Sequence, residues 1–436
     1  MVSMSRITTR PASFPQTLHT IFRTNASPLL ISRVVPSSYI LIGNPYSFKS
    51  LSNVAVPRRP CARGPGSRPR LAGLPLMSRR DLHSQMFWLP PLMFVGLLGA
   101  LWIWKCAMMI VFQNKIIYMP GLPPNARRER IQDYARECGG VVWEERRTRA
   151  ADGTDLALCV ASVESTGPKT STSPGASASG IIPVYILYFQ GNASSIPPRL
   201  QDLSAVLRTL QRGKQRARYT MICLSYRGYW TSRGRPSERG INLDAQAGLE
   251  YVTRLHDEQE QQQSADNGPN PRPVLIFWGQ SIGSGVATNL AAAWEDFPRT
   301  IRLDGLVLET AFTSVKDMLG ALYPSKWTPY RYLWPFLRNH LDSLANLDQI
   351  ARLRSDDGGP PHITLVVAGQ DELVPADHGA RLEQRGRELG LTVERKIIRG
   401  TFHNDVMFRG EGRKAVADSI EKVVVATSRD GTNNGS

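Results

Sequence analysis

Acidic residues are missing from the first 80 positions of this 436-residue chain, which hold twelve Lys and Arg residues. The rest of the chain carries 41 basic and 37 acidic residues, so most of the net charge of +16 comes from the N-terminal part. A nearly balanced globular part does not predict a nucleic-acid-binding surface. We expect residues 1–85 to form a basic extension, and its Arg, Ser and Pro content fits a targeting peptide and plain disorder equally.

Cysteine is scarce, with five residues, and no two of them stand in a C-x-x-C or another metal-binding spacing. The sequence therefore predicts no metal site, and nothing in it points to another cofactor. We expect the cysteines to be small buried residues, as free cysteines usually are. A disulfide framework is therefore not predicted either. A pairing of Cys138 with Cys159 stays open as the alternative.

Charge is also absent from residues 87–104, and after Lys105 the apolar character continues to Phe112. Eighteen uncharged residues are enough for a transmembrane helix, so residues 86–112 are predicted to be a membrane anchor. A buried core helix is the alternative, whereas a signal peptide is disfavoured because the run starts too late. The membrane is thus an expected partner. The endoplasmic reticulum, other endomembranes and the mitochondrion all fit, and the flanking charges leave the orientation open.

Short apolar strand patterns alternate with helical patterns from about position 139 onward. This alternation predicts an α/β fold, with a mostly parallel sheet and helices on both faces. We assign residues 113–427 to this domain and residues 428–436 to a disordered tail. Strands are predicted at 141–148, 156–163, 184–189, 219–224, 274–278, 305–309, 363–368 and 393–398. Helices are predicted at 199–212 and 237–255, with surface loops at 166–180 and 257–273.

The most informative motif is Gly279-Gln280-Ser281-Ile282-Gly283, a G-x-S-x-G between an unbroken apolar run and an Ala-rich helical segment. Such a strand-to-helix turn holds the central residue in a strained conformation and presents its hydroxyl above the sheet. The glycines leave room for the backbones to pass. Ser281 is therefore the candidate nucleophile.

A serine nucleophile needs a base, and in this architecture the histidine comes last in the chain. His403 lies in the loop after the last predicted strand, from which an imidazole can reach over the turn. His362 precedes a strand and His378 begins a helix, so both are poorer candidates. We predict that His403 is the base.

The base in turn needs a carboxylate that orients its imidazole. Asp371 lies in the turn after the strand at 363–368, and sites form at the carboxyl ends of parallel strands. Glu372, its neighbour, and Glu309, at the end of the preceding strand, are the alternatives. We predict Asp371.

Two backbone N–H groups are expected to stabilise the oxyanion. The first belongs to Ile282, the residue after the nucleophile. The second should come from the loop after the strand at 184–189, where Gly191 permits close approach and the Asn192 N–H is our choice.

An aromatic segment follows the strand that ends at Glu309, at the place where this architecture inserts lids. It includes Trp327, Tyr330, Tyr332, Trp334 and Phe336. We predict a short lid at about residues 315–345. Its aromatic side chains fit either an acyl substrate that enters from a membrane or the ordinary packing of a cap.

Together these segments resemble the Bem46-like branch of the α/β-hydrolases over about residues 105–425. The matching segments are LYFQGNA at 187–193, SYRGY at 225–229, PSERG at 236–240, GQSIG at 279–283, LETAF at 308–312 and the His403 loop. The resemblance implies the α/β-hydrolase fold behind an N-terminal membrane anchor. It also implies a serine hydrolase for lipid esters or for the thioesters of acylated proteins.

One position departs from the family pattern, because Gln190 replaces the His that usually precedes the glycine of the oxyanion loop. This departure bears on how the loop is braced and not on how Ser281 is activated. A catalytically inactive scaffold that binds a membrane or protein partner is the alternative to a hydrolase.

Overall fold

The computed structural model describes residues 79–167, 180–263, 271–293, 301–352 and 359–433. Nearly all of the predicted basic extension and most of the predicted surface insertion at 166–180 therefore lie outside the described residues. The strands within these ranges are β1 (Glu144–Arg149), β2 (Asp155–Thr166), β3 (Ile182–Phe189), β4 (Arg216–Leu224), β5 (Val274–Gln280), β6 (Leu303–Glu309), β7 (His362–Ala368) and β8 (Val393–Ile398).

These eight strands form one sheet in the order β1-β2-β4-β3-β5-β6-β7-β8. β2 pairs antiparallel with both β1 and β4, and every other neighbouring pair is parallel. This arrangement confirms the predicted α/β class and its mostly parallel sheet. The carboxyl ends of β3, β5, β6, β7 and β8 consequently meet at one edge, where an active site of this architecture assembles.

Burial on both faces explains the continuous apolar runs of the central strands. In β3, Tyr185, Leu187 and Phe189 belong to one hydrophobic cluster, whereas Ile186 and Tyr188 belong to a second. Successive side chains of a strand point to opposite faces, so the two clusters lie on opposite sides of the sheet. Each cluster is closed by helices, which is why the central strands carry almost no charge.

The helices begin with α1 (Arg79–Val111) and α2 (Gln113–Tyr118), which precede the sheet. They continue with α3 (Leu200–Gln211), α4 (Glu238–Gln263), α5 (Ile282–Ala292), α6 (Val315–Leu322), α7 (Ser343–Arg352), α8 (Ala376–Glu388) and α9 (Gly410–Asn433). Within α1, residues Phe87–Val111 are long and apolar enough to cross a membrane. The segment between α6 and α7 is built from short 3-10 turns at Pro329–Tyr332 and Trp334–Phe336. We call residues 315–342 the cap.

Two predicted boundaries are wrong by more than five residues, and in each case the helix continues further than expected. α4 continues to Gln263, past the predicted end at 255, and the Tyr185 hydroxyl bonds Gln259 Oε1 at 3.0 Å in this extension. α9 runs to Asn433, through most of the predicted disordered tail, because its preceding turns bury Val423 and Val424. Local polarity therefore misled the prediction where packing decided the outcome.

The cysteines of the described residues are free thiols. Cys138, Cys159 and Cys223 are buried, as small apolar residues usually are. The pairing of Cys138 with Cys159 that the sequence left open is thus not present. Cys61 lies outside the described residues.

One buried histidine joins the start of the cap to α8. The Thr313 N–H donates to His378 Nδ1 at 3.2 Å, so that nitrogen must be unprotonated. Burial is the main cause that lowers the pKa of His378, while the carboxylates of Asp317 and Asp377 act in the opposite direction and the guanidinium of Arg381 lowers it further. The neutral imidazole is therefore the form that holds the cap.

We expect acid to destabilise the protein through His378. Its folded pKa is lower than its unfolded value of about 6.5, so the unfolded state binds more protons as pH falls below that value. Unfolding free energies from pH 7.5 to 5.0 should fall more steeply for the wild type than for His378→Gln. The exposed His340 provides a control, because His340→Gln should retain the wild-type slope. Equal slopes in all three proteins would contradict this account.

Candidate active site

Ser281 lies at the turn between β5 and α5 with φ of +52° and ψ of −116°. A positive φ is costly for a residue with a side chain, so the surroundings must hold it. A Cβ at Gly279 would lie 2.3 Å from the carbonyl oxygen of Gly283, and a Cβ at Gly283 would lie 2.1 Å from that of Phe189. The Ser281 N–H donates to the Glu309 carbonyl at 2.8 Å, which ties the turn to β6.

His403 lies in the loop after β8, and its Nε2 atom is 3.0 Å from Ser281 Oγ. Its side chain is almost fully buried. The main-chain N–H of His403 donates to a carboxylate oxygen of Glu372 at 2.9 Å. Glu372, one of the alternative acids, thus shapes the loop that carries the imidazole.

Asp371 follows β7 and faces the other nitrogen of the same ring. Its two carboxylate oxygens lie 3.0 and 2.9 Å from His403 Nδ1. Oδ1 also accepts from the main-chain N–H groups of Leu373 and Val374, at 2.9 and 2.8 Å. A carboxylate held in this way favours the proton on Nδ1, so Nε2 remains free to accept the Ser281 proton.

Glu309, the second alternative acid, ends β6 and is fully buried. One of its carboxylate oxygens accepts from Trp278 Nε1 at 3.2 Å, and the other has no hydrogen-bond partner within the described part of the chain. Burial raises the pKa of Glu309, and the positive charge of Arg199 opposes this effect. The hydrogen bonds of the His403 ring go to Ser281 and Asp371 instead.

The predicted oxyanion donors border the same cavity as the nucleophile and the base. Asn192 and Ile282 both line it, together with Ser281 and His403. In the loop after β3, the next N–H along the chain is already engaged, since Ala193 donates to the Tyr118 carbonyl at 3.0 Å. Asn192 lines the cavity, and its N–H stays the predicted second donor.

Contacts from other segments brace this loop despite the Gln190 departure. Tyr226 donates its hydroxyl proton to the Gln190 carbonyl at 2.9 Å. The Ser194 N–H donates to the Leu122 carbonyl at 2.5 Å, just beyond the Ala193 bond. The Gln190 side-chain amide is buried and has no partner among the described residues. The backbone of the loop is therefore held without the side chain at position 190.

The cavity beside Ser281 measures about 390 Å³ and is lined almost entirely by apolar side chains. Beside Ser281, Ile282, His403 and Asn192, its walls come mainly from the end of α1 with α2, from the cap, and from the turn after β7. The first two contribute Met109, Ile110, Gln113, Ile116 and Ile117, then Val315, Met318, Leu319, Leu322, Tyr323, Leu333, Phe336 and Leu337. Such a volume and lining suit one flexible apolar chain with its reactive group at Ser281.

The contribution of α1 and α2 to this cavity was not predicted from the sequence. The available signal was the apolar character that returns after Lys105 and continues through Ile116 and Ile117. We had assigned all of it up to Phe112 to the membrane. Among the described residues, no group of three or more His, Cys, Asp or Glu side chains is placed to hold a metal ion.

Three named proteins are similar in sequence to this chain. The α/β hydrolase domain-containing protein WAV2 of Arabidopsis thaliana is 28% identical over 290 residues, which is 64% of this chain and 77% of that protein. Protein bem46 of Schizosaccharomyces pombe is 32% identical over 139 residues, 32% of this chain and 38% of that protein. The lysophosphatidylserine lipase ABHD12 of Danio rerio is 34% identical over 203 residues, 45% of this chain and 46% of that protein. The chain thus spans less than half of two of these relatives, and no protein-family model matches it.

The strained turn generates a first prediction for this site. Gly283→Ala should lower the free energy of unfolding by about 3 kcal/mol, because the added Cβ meets backbone that cannot move aside. Gly320 in α6 is the matched control, since a Cβ there has nothing within 4 Å. Gly320→Ala should stabilise the protein by about 0.5 kcal/mol through helix propensity. Denaturant unfolding measures both changes, and similar values for the two variants would refute the account of the turn.

A second prediction separates the two buried carboxylates. Asp371→Asn should reduce ester turnover by about 10⁴, because the amide leaves His403 in the wrong tautomer. Glu309→Gln should cost much less, since Glu309 does not hydrogen-bond the imidazole. Turnover of a soluble ester and the unfolding midpoint should be measured for both variants. The reverse order of activities would show that Glu309 orients the base.

Proposed function

We propose that the chain is a membrane-anchored serine hydrolase of the Bem46-like branch of the α/β-hydrolases, and that it cleaves the ester or thioester of an acyl substrate. The observation that carries the proposal is the hydrogen-bonded series from Ser281 Oγ through both nitrogens of His403 to Asp371. Separations near 3 Å are within the range at which a base removes the proton of a nucleophile. In this proposal the three side chains form a catalytic triad.

The proposed reaction has two half-reactions. Ser281 Oγ attacks the acyl carbonyl carbon while His403 Nε2 takes the hydroxyl proton, and Asp371 stabilises the resulting imidazolium. The N–H groups of Asn192 and Ile282 donate to the oxyanion. When the tetrahedral intermediate collapses, His403 protonates the departing alcohol or thiol and an acyl-enzyme remains. Water, deprotonated by His403, then releases the carboxylic acid and restores Ser281.

The cavity lining supports an acyl substrate. Most of its lining side chains are apolar, so an alkyl chain would replace water there favourably. A relative named as a lysophosphatidylserine lipase supports a lipid ester in particular. The acyl thioester of a palmitoylated protein carries the same chain and is the alternative substrate within this proposal.

The apolar helix supports the membrane part of the proposal. Phe87–Val111 comprises 25 residues, contains an 18-residue window with a mean hydropathy of 1.9, and is exposed along most of its length. We assign residues 86–112 to the anchor and residues 113–427 to the hydrolase domain, whose lid lies at about 315–345. An exposed helix of this composition is stable only in an apolar environment such as a bilayer. The endoplasmic reticulum or another endomembrane stays the predicted compartment.

Replacement of the nucleophile tests the proposal directly. Ser281→Ala should abolish labelling by a fluorophosphonate probe and lower ester turnover by about 10⁶, because the nucleophile and base act as a unit. The control is Ser162→Ala on β2, at an exposed serine whose hydroxyl bonds Thr220. That variant should be labelled like the wild type. If the purified wild type is not labelled, the inactive scaffold becomes the better interpretation.

A further inference from the structure

The exposure of α1 changes abruptly at one level. Nearly all side chains from Phe87 to Lys105 are exposed, whereas those from Cys106 to Ile110 are half-buried against the domain. The 18 uncharged residues before Lys105 extend about 27 Å as a helix, close to the thickness of a bilayer hydrocarbon core. A bilayer around α1 would therefore end near Lys105.

The cap contacts α1 at this same level. Lys105 Nζ lies 4.7 Å from the centroid of the Tyr330 ring, and Tyr330 belongs to the first 3-10 turn of the cap. The Arg338 guanidinium donates to the last carbonyls of α1, those of Ile110 and Val111, at 3.0 and 3.1 Å. These contacts hold the cap beside the point where α1 leaves the bilayer.

Gln113 makes this attachment specific. Its amide donates to the Phe336 carbonyl at 3.1 Å, and its Oε1 accepts from the Arg338 N–H at 2.7 Å and from Asn339 Nδ2 at 3.3 Å. The side chain is buried although it lies only two residues after α1. The cap and the anchor therefore occupy a defined position relative to each other.

Four aromatic side chains of the cap point into solvent and define what we call the cap face. Trp327 is 89% exposed, Tyr332 54%, Trp334 47% and Phe336 57%. Basic residues lie among them, namely Lys316, whose Nζ is 4.2 Å from the Trp334 ring centroid, with Lys326 and Arg331. Trp and Tyr rings beside Lys and Arg are typical of the membrane–water interface, where each group finds its preferred environment.

The cavity lies between these same two elements. Met109 and Ile110 of α1 form one wall, Leu322 and Phe336 of the cap form another, and Ser281 lies at the boundary with the domain. Phe336 belongs both to the cavity lining and to the exposed cap face. The space beside Ser281 is thus continuous with the surface at the level of the bilayer.

We propose that the cap face sits in the headgroup region of the membrane that α1 spans, and that an acyl chain of a lipid ester passes from this bilayer into the cavity between α1 and the cap. The anchor is then one wall of the acyl-binding site and not only a tether. The position of the cap is independent of catalysis, whereas the passage of the lipid rests on the proposed hydrolase function. Transfer along this route keeps the chain out of water, which removes a cost proportional to its exposed apolar area.

Fluorescence quenching locates the cap without any reference to activity. The full-length protein is reconstituted into phosphatidylcholine vesicles whose acyl chains are brominated near the headgroup end. Subtracting the emission of Trp327→Phe from that of the wild type isolates Trp327. Its emission should be quenched as strongly as that of Trp104, isolated in the same way at the end of the uncharged run. Trp143, buried inside the domain, is the control that should not be quenched.

The quenching of Trp327 decides whether the cap face lies in the bilayer. Quenching of Trp327 to the level of Trp104 supports a membrane-seated cap. If Trp327 behaves like Trp143, the cap face lies outside the bilayer and the proposal is overturned.

Hydrolysis tests the route of the substrate. We compare lysophosphatidylcholine carried in vesicles with the water-soluble ester p-nitrophenyl butyrate. Trp327→Asp should lower hydrolysis of the vesicle lipid about tenfold. This is the change expected if the substitution weakens the contact of the cap face with the membrane interface by about 1.4 kcal/mol. Hydrolysis of the soluble ester should be unchanged, because Trp327 lies outside the cavity lining. Val142→Asp, at an exposed apolar residue before β1, should change neither rate.

The two substrates also distinguish lipid entry from the bilayer from the proposed hydrolase function. An equal loss on both substrates in Trp327→Asp, or full retention on the vesicle lipid, would overturn entry from the bilayer. A wild-type protein that hydrolyses neither substrate and is not labelled by the fluorophosphonate probe would refute the proposed function, and with it the lipid route, while the quenching result still decides the position of the cap.

Discussion

The rest of the site depends on one backbone constraint, the left-handed conformation of Ser281 between β5 and α5. The chain reverses there within a fully buried environment, and the added Cβ of any larger residue at position 279 or 283 would overlap main-chain atoms. Strain of this kind persists only when the surrounding structure over-determines it. Here β6 supplies the carbonyl that receives the Ser281 N–H. The strand order, which places β6 beside β5, is therefore required for the conformation of Ser281.

The segment after the anchor is coupled to the same site. The Tyr118 carbonyl at the end of α2 accepts from the Ala193 N–H of the oxyanion loop and also from the Tyr229 hydroxyl. The Tyr118 hydroxyl in turn donates to Asn339 Oδ1 in the cap at 3.1 Å. One buried tyrosine of α2 thus joins the loop after β3 to the cap. This coupling explains how the loop keeps its shape although Gln190 stands where the family usually has histidine.

The sequence predicted most of the fold because each signal was local. The apolar runs identified the central strands, and the G-x-S-x-G between a strand and a helix identified the turn at Ser281. His403 and Asp371 were chosen because residues that follow parallel strands share one edge of the sheet. The helix end at Gln263 was missed because a contact made far along the chain, that of Tyr185 with Gln259, outweighed local polarity.

Chain order and residue type by themselves determined the α/β class, the candidate nucleophile and the apolar run of α1, since these follow from periodicity and from the limits that backbone geometry sets. They favoured Asp371 over Glu372 and Glu309 from its position after β7, but all three carboxylates lie at the same edge of the sheet, so the hydrogen-bond partner of each one depended on packing. Only the tertiary structure assigned the imidazole bond to Asp371, a backbone bond to Glu372 and the Trp278 bond to Glu309. It also placed the end of α1 against the cap, because contacts between segments more than 200 residues apart depend on packing and leave no pattern in the local sequence.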